Sequence, residues 1–517
     1  MVGGLLQLAV YGNEDIYLTG NPQITYFKSV YRRHTNFSME NLNVQFIGDR
    51  GHIDYAFTTT KKITTNLEVN GDLIGNVYLV LRIPNIYTYK KADDTIYRFR
   101  WVKNLGFNMI KSVSVAVGGK EIVKHSGEWL HIINELTKSA EQKKVLNRLI
   151  GNIPELYDPR NSGGSYPEKF TDDDSSPSIR GRLIYIPLNF WFNTKPGLSL
   201  PIIALQYNKV EIIVELNSLD SLYTLECKTS VLDSNKDPTS AKFVNFKPRL
   251  GNPSSDHHIK NFLVGKEASN FGWGLEPYVE VNYIYLDKDE RKLFGELSHE
   301  YLIEQVVETN FYGIKEDNFI TEMLLNHPTK YFVFIFKRSD SVSRNDHNNY
   351  TNWFDELKNP IYFSDLSHYT EWYDEIVDDE DFCNTTYEVP VNPITRDNYE
   401  RYSKDIIKQG AIKFNGINRI NEKETGYFSL LQKHQHNLES DNTGILVYSF
   451  SIDPKSFEPS GSANLSGLNR LTFEFVLNTL PDHIAKMPKY QYDLNIYQVN
   501  YNIFRVVNGM GYQVFDS

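Results

Sequence analysis

Apolar residues recur mostly at every second position, in short runs closed by turn residues. Ile63-Thr64-Thr65-Asn66-Leu67-Glu68-Val69 meets the turn Asn70-Gly71-Asp72, and Val77 to Ile83 stops at Pro84. Ser112 to Val117 alternates, breaks at Gly118-Gly119 and resumes at Lys120-Glu121-Ile122-Val123, which predicts a hairpin. Tyr331 to Phe336 is a continuous apolar run of strand length and reads as a buried strand. Further strands are predicted over 278–286, 444–450 and 471–477. Helical spacing is rarer. Leu130, Ile133, Leu136, Val145, Leu146 and Leu149 predict one or two amphipathic helices between Gly127 and Leu149, and Asp289 to Phe294 opens another.

Three stretches depart from this pattern. Residues 1–26 carry Leu5, Leu6, Leu8 and Val10 but too few apolar positions for a core, and predict an arm that orders by docking. Residues 158–181, rich in Asp, Ser, Gly and Pro, predict an exposed loop. A long polar stretch near 339–410, with Asp378-Asp379-Glu380-Asp381, predicts an insertion within a strand-rich body.

One motif occurs twice. Asn208-Lys209 leads into 210–216 and closes at Asn217; Asn469-Arg470 leads into 471–477 and closes at Asn478. The copies lie about half a chain apart, which suggests two copies of one β-sandwich. Numerous short strands with long loops between some of them suit a jelly roll. The expected organisation is an arm at 1–26, a first roll at 27–218, a second roll at 219–505 that contains the insertion, and a tail at 506–517.

Composition narrows the function. The 517 residues are 14% aromatic, and 54 basic against 65 acidic residues leave a net charge of −11. Tyr and Phe favour pleated, half-buried surfaces, and the charge argues against a surface built to grip nucleic acid. Cys227 and Cys383 are too few for a disulfide framework or a four-thiolate zinc site; two buried free thiols are expected over one bridge. The N-terminus lacks a basic leader and a small-residue cleavage site, so it reads as a poor signal peptide. No apolar run approaches the ~20 residues of a membrane-spanning helix.

Catalytic motifs are missing: no phosphate loop, no nucleophile elbow, no zinc-protease helix. His434-Gln435-His436 has the form of a metal pair without a third ligand at a recognisable spacing, and His257-His258 sits in a turn-rich linker; both read as plain polar segments. The acidic run at 378–381 lacks the spacing of a calcium loop. Tyr31-Arg32-Arg33-His34 is too short for a nucleic-acid patch and reads as a basic anchor for an acidic neighbour or a backbone carbonyl. No catalytic, metal or cofactor site is expected. Jelly rolls also serve as lectins and glycosidases, so a carbohydrate-binding or carbohydrate-active protein is the alternative class; a trimeric receptor-binding fibre head is a third.

Ordered blocks across almost the whole chain resemble the major capsid proteins of nucleocytoplasmic large DNA viruses. They include Gly3-Gly4-Leu5-Leu6-Gln7-Leu8, Asp15 to Thr25, Tyr31-Arg32-Arg33-His34-Thr35-Asn36-Phe37, Pro187-Leu188-Asn189-Phe190-Trp191-Phe192 and Pro196 to Tyr207. Asp287 with Asp289-Glu290-Arg291, His299 to Gln305, and Pro459-Ser460-Gly461 with Asn464-Leu465-Ser466 complete the series. The resemblance implies an all-β fold of two tandem eight-stranded jelly rolls and a non-enzymatic shell subunit. It further implies a homotrimer of pseudo-sixfold outline that tiles an icosahedral virion above an inner membrane, assembled in the host cytoplasm. Implied partners are neighbouring capsomers, minor capsid proteins and a penton protein, without direct nucleic-acid contact. The chain departs from a minimal member by the insertion near 339–410, and has Ala463 where relatives often carry Cys. Leu5, Leu6, Leu8, Tyr17, Ile24, Arg32 and Arg33 are the expected assembly contacts. Phe190, Trp191 and Phe192 suit either the sandwich core or the contact between rolls.

Overall fold

In the computed structural model the described residues are 3–48, 60–92, 95–160, 165–171, 176–231, 240–248, 256–265, 274–323, 327–352, 404–478 and 491–515. Eight strands of the first half form two antiparallel sheets. In chain order they are Phe37–Gln45, Lys61–Leu67, Leu73–Ile83, Ile110–Val117, Lys120–Ser126, Arg182–Pro187, Val210–Leu216 and Tyr278–Leu286. Counted one to eight, one sheet runs 1-8-3-6 and the other 2-7-4-5.

The second half repeats this order. Its eight strands are His299–Ile314, Asn318–Met323, Pro328–Arg338, Ile407–Phe414, Ile417–Glu424, Ile445–Ser449, Leu471–Leu477 and Tyr492–Val507, again paired 1-8-3-6 and 2-7-4-5. The chain is thus a double jelly roll. The two copies of the repeated motif are the seventh strand of each roll, so the echo marks equivalent places.

The seam between rolls does not fall at 218/219. Strand eight of the first roll lies between strands one and three. The polypeptide must therefore return after strand seven to close that sheet. The link from seven to eight also carries Tyr223–Val231 and Ser240–Phe246. The two pair with each other, Tyr223–Val231 pairs with Ile96–Trp101, and Ile96–Trp101 with Tyr89–Lys90, both from the link between strands three and four, adding a small third sheet to the first half. The change of body falls at the Lys288–Glu296 helix, capped by the Asp287 carboxylate on the Lys288 amide at 2.7 Å. The expected tail is also mostly strand: Met510–Gln513 folds back on Phe504–Val507.

Two helices follow the fifth strand of the first roll. Ser126 caps Gly127–Thr137 by accepting from the Trp129 amide, and a Ser139–Gln142 capping box opens Ala140–Leu149, which divides the amphipathic stretch in two. Gly127 permits the close approach of the first helix: a Cβ there would lie 2.2 Å from the carbonyl oxygens of Phe107 and Ile110. The expected loop at 158–181 is pinned at two points. Tyr166 is buried with its hydroxyl donating to the Phe99 carbonyl, and Ile179 exchanges backbone hydrogen bonds with Ile86. Its polar composition masked these two anchors. Cys227 is buried and disulfide-bonded, against the expectation of free thiols. Composition carries no information about which loop reaches which strand; the chain's other cysteine, Cys383, lies outside the described residues.

Within the second roll, Phe332, Phe334 and Phe336 face Phe473 and Phe475 edge-on across the sandwich, with ring centroids 5.0–5.3 Å apart. Replacing Phe473 by alanine should cost about 3–5 kcal/mol in denaturant unfolding. Leu5→Ala, on an exposed helix, should stay within about 0.5 kcal/mol of the parent.

Candidate assembly surfaces

The strand run at 331–336 serves two interfaces at once. Alternate residues Phe332, Phe334 and Phe336 fill the second roll's core, while Tyr331, Val333 and Ile335 face out. Those outward residues join Tyr497 and Val499 of strand eight and Ile445 and Val447 of strand six. Together they meet Trp129, Ile132 and Leu136 of the Gly127–Thr137 helix. Trp129 lies 5.2 Å from the Tyr497 ring. The roll–roll seam is therefore a buried apolar layer built on the outer face of one sheet.

Polar contacts fix its register. Glu128 is half-buried in the seam, where it accepts from Asn495 Nδ2 at 2.7 Å and the Tyr497 hydroxyl at 2.8 Å and pairs with Lys337. Burial alone would lift this carboxyl; Lys337 and the two neutral donors outweigh it and hold it below the ordinary carboxylate value. Gln305 and Gln513 both donate to the Ile122 carbonyl at 2.6 Å. The Pro187–Phe192 segment resolves its two readings by serving both. Phe190 and Phe192 are buried in the first roll, and Trp191, in a short 3-10 turn, meets Phe504 of the second at 5.4 Å.

Strand register also gives each roll two unlike ends. In the second roll Arg338 pairs with Tyr492, Ile407 with Leu477, Gln409 with Glu424 and Ile335 with Ile445. The links 339–406, 425–444 and 478–491 therefore leave from one end. In the first roll the corresponding end carries 84–109, 127–181 and 217–277. The opposite end has the tight turns, including Gly118-Gly119, both at positive φ. It also has the chain's entry into Phe37, the helix between rolls and the C-terminal hairpin.

The two rolls stand side by side with like ends together. At the long-link end, Asn345 Nδ2 donates to the carbonyls of Asp220 and Tyr223, and His347 Nε2 lies 2.7 Å from the Ser221 carbonyl. At the other end the Tyr207 amide donates to Gly509, and Asn208 Nδ2 to Gly511.

The arm leaves from the tight-turn end. Its two short helices, Gly3–Ala9 and Asp15–Thr19, bury no residue. Leu5, Leu6, Leu8, Tyr17 and Ile24 are all exposed, Leu8 at 80% and Tyr17 at 90%. Arg32 and Arg33 are exposed as well, and neither forms an ion pair with a described residue. The sequence reading missed Tyr26, Phe27, Val30 and Tyr31, which are equally bare, Phe27 at 99%. They lie at or beyond the end of the expected arm, and only their exposure sets them apart. The arm's apolar side chains are left largely exposed by the described residues of their own body.

No cluster of three or more potential metal ligands occurs among the described residues. His434 and Gln435 lie in a helical turn rather than a strand, with His436 bonded to the Ile452 carbonyl, and His258 caps a 3-10 turn. The acidic run at 378–381 lies outside the described residues.

The chain matches two family descriptions end to end: "Major capsid protein N-terminus" over residues 25–287 and "Large eukaryotic DNA virus major capsid protein" over residues 290–512. It belongs to the major capsid proteins of large eukaryotic DNA viruses. It is 29% identical to the major capsid protein of Phaeocystis pouchetii virus, with 99% of both chains covered. It is 30% identical to that of Pyramimonas orientalis virus, covering 99% of this chain and 98% of the other. Among solved structures, the PBCV-1 capsid protein VP54 superposes with a TM-score of 0.61 at 22% identity, covering 95% of this chain and 100% of that one. The Faustovirus major capsid protein gives 0.62 at 13% identity, with coverages of 96% and 95%. The protein is a structural subunit of a viral capsid and not an enzyme. The boundary between the two family matches coincides with the inter-roll helix.

Acid should loosen this major capsid protein. Burial pushes His125 down to about 4, opposed by a hydrogen bond to the Asn189 backbone, and burial also pushes His131 and His347 below the ordinary value. Glu128 is depressed too, so each of these groups binds fewer protons folded than unfolded, and stability falls as pH falls. The histidine contribution is lost from about pH 6.5 downward, with His125 alone costing about 2 kcal/mol at pH 5; the carboxylate contribution goes at lower pH. Melting followed at pH 7.5 and pH 5 should show the drop, and His125→Gln should flatten it.

Proposed function

We propose that three copies of this chain form a homotrimeric capsomer of pseudo-hexagonal outline that tiles the icosahedral shell of a large double-stranded DNA virus. The observation that carries this reading is the parallel stance of the two rolls, with long links at one end and the arm and tight turns at the other. Six similar sandwiches from three chains make a near-hexagonal prism, which packs a curved lattice with few kinds of contact. The long-link end, including the insertion that begins at Ser339, faces outward. The tight-turn end faces the interior, over an inner membrane.

The arm is the assembly device. Leu5, Leu6, Leu8, Tyr17 and Ile24 dock on neighbouring capsomers or minor capsid proteins at the capsomer base, and Arg32 and Arg33 take acidic or carbonyl partners there. The penton protein closes the vertices. Obligate interfaces of this kind bury about 2,000 Å² or more. The net charge of −11 disfavours sticking to the enclosed genome. Synthesis and assembly take place in the host cytoplasm.

Native mass spectrometry should give a species at three times the 60.0 kDa chain mass; a stable monomer would count against the trimer. Deleting residues 2–24 should leave that species intact while particle yield collapses. Full-yield particles from the deletion would remove the arm from assembly.

A further inference from the structure

The second roll has an open side. Its fifth strand, Ile417–Glu424, is the outer strand of one sheet, and its sixth, Ile445–Ser449, lies at the edge of the other path. Between these edges, under the link 425–444, lies a half-open pocket of about 400 Å³. Its rim is cationic. Arg419, Asn421 and Lys423, alternate residues of the fifth strand, all line the mouth. Glu422 and Glu424 are not among the lining residues, and neither Arg419 nor Lys423 forms an ion pair with a described residue. In an acidic protein this leaves two exposed cations over one cavity without a carboxylate partner among the described residues.

The floor is aromatic and amide. Lys423 Nζ sits 5.9 Å from the Tyr427 ring centroid. Gln432 Nε2 donates to the Tyr427 hydroxyl at 3.2 Å while its Oε1 accepts from the Ser449 amide, which fixes ring and amide against each other. Tyr448 is buried at the back, close enough to Arg419 that the guanidinium pulls its hydroxyl pKa down against the larger upward push of burial.

We infer that this pocket binds an acidic oligosaccharide, with Arg419 and Lys423 taking sulfate or carboxylate groups on successive sugar rings. Four residues of strand separate the two cations by up to about 13 Å, a span that suits a disaccharide with two charged groups better than one small anion. Tyr427 offers a flat face to sugar C–H bonds, and the Asn421 amide can both donate to and accept from hydroxyls. The volume is that of a small-ligand site. The ligand would be a host-surface glycan or a glycan of the virion itself; both present the same chemistry.

The test is titration calorimetry of the purified full-length protein with a heparin-derived sulfated tetrasaccharide, with maltotetraose and inorganic sulfate as controls, at low salt. The sulfated probe should bind and both controls should not. Arg419→Ala with Lys423→Ala should weaken binding at least about tenfold, with melting temperature unchanged. Arg32→Ala with Arg33→Ala, which alters the other exposed basic cluster, should leave binding intact. Absence of binding, equal affinity for inorganic sulfate, or a loss that follows the arm variant instead of the pocket variant overturns the inference. If the probe binds, repeating the titration with 3′-sialyllactose and with glycan released from virions separates the two sources, and binding of neither would also count against it.

Discussion

Two-sided burial of one sheet is the constraint on which the rest of this structure depends. A jelly-roll sheet ordinarily packs one face on its partner sheet and leaves the other to solvent. In the second roll strands eight, three and six of the 1-8-3-6 sheet are buried on both sides, because their outer face carries Tyr331, Val333, Ile335, Ile445, Val447, Tyr497 and Val499 against the Trp129 helix. The two rolls are thus joined by a continuous apolar layer instead of a flexible linker. Glu128, Gln305 and Gln513 then convert that non-directional attraction into a single alignment. Their hydrogen bonds are satisfied only when the sheets sit in this register.

Alignment has a consequence for the whole molecule. Because the rolls are held parallel with like ends together, the long links of both emerge on one side and the tight turns, arm and C-terminal hairpin on the other. A subunit polarised in this way can vary one end freely while the other keeps a fixed shape. The second roll carries its insertion at the variable end. The arm, whose apolar side chains stay exposed among the described residues, lies at the constant one.

Much of this was legible in the sequence, for definite reasons. Period-two alternation located most strands, and the unbroken run at 331–336 announced a buried strand, although what covers its second face came only from the packing of the Trp129 helix. The repeated motif around 210–216 and 471–477 correctly implied two copies of one roll. The division between them was misread because a strand's place in a sheet is set by topology, which local pattern does not encode: strand eight of the first roll lies far along the chain from the strands it separates. Tyr166 and Ile179 were hidden within polar text, and composition alone does not report the bonded state of Cys227. The exposed arm was legible in part. A short apolar segment without a core predicts docking, but Phe27 lies beyond the expected arm and Tyr31 reads as part of a basic anchor, so their exposure carried no signal in the sequence. The basic rim at Arg419 and Lys423 carried no signal, since its meaning comes from an edge-to-edge gap between two sheets.

The most direct test of the shared seam is differential scanning calorimetry of the full-length protein beside a Val333→Asp variant, which places a charge in the apolar layer. The account predicts one cooperative transition for the parent, since neither roll keeps its buried outer face without the other, and two separated transitions for the variant. Two independent transitions in the parent, or a variant that melts like the parent, would contradict it.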